Sequence, residues 1–184
     1  MEIKVSTKHI LKVLYVISWI LFIGVCIEAG GIIFNSLFTL LYDPIGAQHF
    51  WQQIDLSSLY NYNPGYFLVE TLLMSIVAVL KAILLYLLVK ILHEDKLNML
   101  QPFNKDLGRL IFNLSYLSFG IGLFCYWGVK YSAWFVEQGV IMPDIHQLSI
   151  GGADVWLFMS VVLYVVAQIF KRGIEIQEEN ELTV

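Results

Sequence analysis

Apolar residues gather along this chain into four long runs, each closed off by polar or turn-forming residues. The first starts after Lys12 and meets no charge except Glu28 before Asp43. The second, Phe67 to Leu92, contains Glu70, Lys81 and Lys90, and the third, Leu110 to Val129, contains no charge. The fourth, Val155 to Phe170, is short alone but is extended by Ile150 to Ala153 and by the tail beyond Lys171. A helix crossing a bilayer's hydrocarbon core needs ~20 such residues. The pattern therefore predicts an all-α integral membrane protein, a four-helix transmembrane bundle forming one domain over residues 1–184. Its spans cover about 13–42, 67–92, 110–129 and 151–170.

The breaks carry their own chemistry. Asp43-Pro44 ends the first helix, because proline disfavours helical geometry at the residue before it. Asn63-Pro64-Gly65 predicts a turn, Asn104 a cap on the third helix, and Asp154 after Gly151-Gly152 a cap on the fourth. Between residues 43 and 66, Phe50, Trp51, Ile54 and Leu59 interleave with Gln48, Gln52, Gln53 and Asp55. That alternation predicts a short helix lying among the lipid headgroups, or a substrate-gathering lid.

Basic residues set the orientation. Lys4, Lys8 and Lys12 precede the first span, Lys90, Lys96, Lys105 and Arg109 flank the second connection, and Lys171 and Arg172 follow the last span. The opposite loops hold only Lys130, which predicts both termini inside, loops 43–66 and 130–150 outside, and loop 93–109 and tail 171–184 inside. Trp51, Tyr60, Tyr62, Tyr66, Trp127, Tyr131, Trp134 and Trp156 crowd the outer boundary, where amphipathic rings settle. A signal peptide fits the first run poorly, since the run is too long and Ile27-Glu28-Ala29 makes a poor cleavage site.

Composition agrees with a membrane protein: 58% hydrophobic and only 14% charged residues, with a mean hydropathy of +0.71. Soluble domains hold about a quarter charged residues. Cys26 and Cys125 lie inside apolar runs without a CxxC, which predicts buried, inert thiols. His9, His49, His93 and His146 are scattered over both sides, so no metal site and no cofactor is expected. Nothing resembles a GxSxG elbow or another catalytic motif, so no enzyme activity is expected.

Charges inside the apolar runs are the exceptional feature, because an ionisable group there costs ~3 kcal/mol and needs a partner or a purpose. Glu70 and Lys81 are eleven residues apart, nearly three helical turns, and so share a face of the second span. On the first span Gly24, Glu28, Gly31 and Asn35 form one stripe, and Ser115, Ser118 and Gly122 give the third a small-residue face. At ~1.5 Å rise per residue, Glu28 and Lys81 differ by roughly 10 Å in depth, a gap that a lysine side chain and a modest tilt could close. An interior Glu28–Lys81 pair is therefore predicted. Glu70, Glu28 and Lys81 could form a proton or ion relay; alternatively the pair only fixes helix register while Glu70 reaches headgroup water.

The tail reads Lys171-Arg172-Gly173-Ile174-Glu175-Ile176-Gln177-Glu178-Glu179-Asn180-Glu181-Leu182-Thr183-Val184, four acids beyond the two bases. An anionic inner leaflet would repel it, leaving its Ile and Leu residues to seek the protein's own inner loop or a partner. This tail, with Lys-Arg-Gly, Gln-Glu-Glu-Asn and terminal Leu-Thr-Val, resembles the C-terminal signature of the bacterial membrane family called domain of unknown function 2975. Pro102-Phe103 is similar to that family's inner-loop motif, although Glu181 stands where Asp is commoner and residues 104–109 are less basic. The resemblance implies four spans with no established activity, often encoded beside a Cro/CI-type helix-turn-helix regulator. It suggests a membrane protein that tethers such a regulator, docking it through Pro102, Phe103, Arg109, Glu175, Glu178, Glu179 and Leu182, without binding nucleic acid itself. The alternative is a small transporter or accessory subunit using Glu28 and Lys81. Membrane lipid and a second copy of the chain complete the expected partners.

Overall fold

The computed structural model describes residues 7–93 and 104–181. Within them the chain is helical, with five α-helices and a single antiparallel bridge between Phe50 and Ile54. The helices are α1 (Thr7–Leu41), α2 (Ser57–Tyr62), α3 (Pro64–His93), α4 (Lys105–Glu137) and α5 (Ala153–Glu181). All but α2 are long and apolar enough to cross a membrane.

The strong packing follows chain order: α1 on α3, α3 on α4, and α4 on α5. Small side chains set the α4–α5 approach. Ser115 and Ser118 are buried, the Ser115 hydroxyl donates to the Ser160 carbonyl at 2.8 Å, and Gly122 lies against Leu157. Toward the end of the bundle where α1 begins and α3 finishes, the Tyr15 hydroxyl meets Nδ1 of His93 at 2.9 Å, joining α1 to α3.

The helices exceed their apolar runs. At ~1.5 Å per residue, α4 is about 50 Å long, against a hydrocarbon core of ~30 Å. The Asn104 side chain accepts from the Leu107 amide at 2.7 Å and starts this helix where its cap was expected. Asp154 differs from expectation: it lies in the first turn of α5, and the bend into that helix falls on Gly152 with φ +77°.

Segment 42–63 is a cap rather than an interfacial helix. It contains the 3₁₀ turns Pro44–Ala47 and Trp51–Gln53 followed by α2. Its apolar residues Phe50, Ile54, Leu56 and Leu59 are buried against the helices instead of facing lipid headgroups. Burying four large side chains outweighs the left-handed backbone at Gln52 and Gln53 between them. The hydroxyl of Ser57, and then its backbone amide, stabilise the Asp55 carboxylate at the entry to α2, holding that carboxyl below its usual range. Trp51 packs over α1 at Gly31, where a Cβ would come within 2.1 Å of the indole.

Candidate functional site

Three chain segments converge under the cap formed by residues 42–63. Between α4 and α5, residues 138–152 turn back into the bundle and bury Leu148 and Ile150 completely. Gly128 of α4 makes room for this return, since a Cβ there would lie 3.0 Å from Ile150 Cδ1. Irregular backbone at membrane depth is tolerated where protein surrounds it. Ser149, in the left-handed region at φ 58°, stands between the two buried side chains.

Ser149 is where the intramembrane charges meet. Its hydroxyl donates to Glu28 Oε1 at 2.5 Å, and its carbonyl accepts from Lys81 Nζ at 2.9 Å. Glu28 of α1 and Lys81 of α3 are thus joined through one residue of the α4–α5 return, in place of the expected direct pair. The depth difference that separates the two helical positions is filled by backbone from a third segment. Sequence reasoning missed Ser149, because a serine in a loop carries no mark of membrane depth. The paired glycines that follow it were a signal of unusual backbone, but not of its destination.

Glu70 lies elsewhere. It is fully buried on α3, and among the described residues neither of its carboxylate oxygens has a hydrogen-bond partner. It does not reach headgroup water. Phe67, one turn before it, packs edge-on against Phe50 and Tyr60 of the cap, and Tyr131 of α4 packs edge-on against Tyr66, one turn before Glu70 on α3. Asn35 is occupied within its own helix, donating to the Gly31 carbonyl at 2.8 Å. Cys125 is buried on α4, whereas Cys26 is exposed on α1. Among the described residues no group of three or more His, Cys, Asp or Glu could hold a metal ion.

A second constellation lies at the opposite end. Helix α5 continues past Lys171 and Arg172 as far as Glu181, so the described part of the tail is helical. It packs on the start of α4, where Ile174 contacts Gly108 and Lys105 Nζ meets Glu178 Oε1 at 2.6 Å. Arg172 pairs with Glu175 at 3.0 Å, while Glu178 and Glu179 are exposed. Arg109 points to the other side of α4. There it lines, with Lys90, Asp106, Leu87, Ile91, Leu110 and Asn113, a cleft of about 190 Å³ between α3 and α4. Pro102, Phe103 and Leu182, also expected in a docking surface, lie outside the described residues.

A family model described as "Protein of unknown function (DUF2975)" matches residues 51–184. The match takes in Glu70, Lys81, Ser149 and the tail, and begins after α1 with Glu28. Neither a curated protein nor a solved structure matches the chain.

Proposed function

This chain belongs to the DUF2975 family, and we propose that it is a membrane docking protein that holds a small helix-turn-helix transcription regulator at the cytoplasmic surface. With the termini inside, as the distribution of Lys and Arg supports, the α4 start and α5 end project together into the cytoplasm. The observation that carries this reading is the pairing of those two helix ends. The contacts of Ile174 with Gly108 and of Lys105 with Glu178 hold the tail as a helix on a helix. A partner then meets a preformed surface and pays less ordering entropy than it would on a loose tail. The ion pairs themselves, being exposed, add little stability. Their role is to set which acids face outward. A helix-turn-helix regulator presents a basic face suited to phosphates, and Glu178 and Glu179 offer it an acidic alternative.

The test is co-expression with the neighbouring regulator followed by membrane fractionation. Full-length protein retains the regulator in the membrane fraction, and retention weakens with salt because exposed charges are screened over ~8 Å at physiological ionic strength. Deletion of residues 175–184 leaves the spans inserted and moves the regulator to the soluble fraction. Retention by the truncated protein, or no retention by the full-length one, overturns the docking reading.

One observation supports a second reading, a small transporter or accessory subunit: Glu28 and Lys81 share Ser149 beneath the outer cap. A cellular phenotype lost in Lys81→Met and kept after tail deletion would favour it.

A further inference from the structure

The docking reading leaves Glu70 without a task. Its side chain has no solvent exposure, and among the described residues both oxygens lack a hydrogen-bond donor. One turn before it on α3, Phe67 is buried and packs edge-on against Phe50 and Tyr60, which place the aromatic cap between Glu70 and that end of the bundle. Below it on the same face of α3 come Met74 and Val77, both buried, and then Lys81, about 16 Å further along the helix. Lys81 is already engaged with the Ser149 carbonyl, so it is not the counter-charge of Glu70.

An ionised carboxylate in this position has no compensation. Removing a charged group from water costs several kcal/mol even after relaxation, and the offset normally comes from a paired charge or from donated hydrogen bonds. Glu70 has neither. The neutral acid avoids most of that cost, leaving one hydroxyl and one carbonyl to be buried. The titratable groups around it are Tyr66 on α3, Tyr131 on α4 and Tyr60 on α2, with Lys81 and Glu28 further along at Ser149 and Cys125 buried on α4. Tyrosine hydroxyls are neutral at physiological pH and supply no counter-charge.

We propose that Glu70 is a proton-binding site, occupied in the closed bundle and exchanging with external water only when the aromatic cap opens. On binding, one O–H bond forms between a proton from external water and a carboxylate oxygen of Glu70; release reverses this and returns the proton to water. The proposal is independent of the docking reading, since it concerns the opposite end of the molecule and uses none of the tail residues.

Infrared difference spectroscopy of the full-length protein in lipid nanodiscs tests it. At neutral pH the wild type shows the carbonyl stretch of a protonated carboxylic acid. The band is lost in Glu70→Gln and kept in Glu28→Gln. After transfer to D2O it shifts slowly, because exchange waits for the cap to open. Absence of the band at neutral pH, its survival in Glu70→Gln, or its shift within the mixing time each overturns the proposal. Should Glu70→Gln fail to fold, wild-type protein carrying carbon-13 glutamate gives the same decision. Solid-state NMR then shows one neutral carboxyl, assigned through its neighbours Thr71 and Met74; only ionised side chains at that position would refute the site.

Discussion

At the scale of single residues, Ser149 holds one strained backbone conformation and makes two contacts. A left-handed conformation costs a non-glycine residue roughly 1–2 kcal/mol, and Ser149 holds it at φ 58°. It is retained because the hydroxyl and carbonyl then reach Glu28 and Lys81. Ser149→Ala keeps the strain and loses the hydroxyl, so a destabilisation of about 1–2 kcal/mol is expected. Ser149→Gly loses the same hydrogen bond but relieves the backbone, and should cost about 1 kcal/mol less. Thermal unfolding in detergent checks the order: wild type, then Ser149→Gly, then Ser149→Ala as the least stable. Glu28→Gln combined with Ser149→Ala should cost less than the sum of the two, since both weaken one contact. Additive effects would mean that the contact is not formed. Glu28, Glu70 and Lys81 were legible in the sequence because a charge in an apolar run is conspicuous. Their meeting point was not, since hydrogen-bonding capacity is shared by every serine and only the path of the α4–α5 return brings this one into the bundle.

At the scale of elements, hydrophobic runs revealed where helices cross but not how far they continue. Helix α4 extends past Val129 to Glu137, and α5 past Phe170 to Glu181, because polar residues in an exposed helix satisfy their backbone as well as apolar ones do. The cap was misplaced for a related reason. Phe50, Ile54, Leu56 and Leu59 are as apolar as lipid-facing residues, and their pattern alone does not distinguish a headgroup layer from the protein's own interior. The small-residue face of α4 was more legible, and it yields a contrast between glycines. A Cβ on Gly122 would meet Leu157 Cγ at 2.7 Å and the Leu157 backbone nitrogen at 3.1 Å, so Gly122→Ala forces α4 and α5 apart. The expected loss is about 1–3 kcal/mol. Gly30 has nothing within 4 Å, so Gly30→Ala should be neutral or gain up to ~1 kcal/mol from helix propensity. Melting curves of the two variants in one detergent decide the matter, and equal effects would show that α4 and α5 are not in close contact at Gly122.

At the scale of the whole molecule, the two constellations occupy opposite ends, so their sidedness governs what each can meet. Among the described residues the start of α1, the end of α3, the start of α4 and the end of α5 share one end, with Lys12, Lys90, Lys105, Arg109, Lys171 and Arg172. The other end holds the cap, the return carrying Ser149, and Lys130 set over the ring of Tyr126. Basic residues near short connections are retained on the cytoplasmic side during insertion, so the basic end should be inside. Reporter fusions after Gln53 and after Met142 should then be active only with an external reporter, and fusions after Lys96 only with a cytoplasmic one. The opposite pattern at any of the three positions refutes this orientation. It would also place the α4–α5 tail pair outside, away from any transcription regulator, and turn Glu70 toward the cytoplasm. Its proton would then exchange with cytoplasmic water, so the fusion result fixes the compartment to which each proposed site responds.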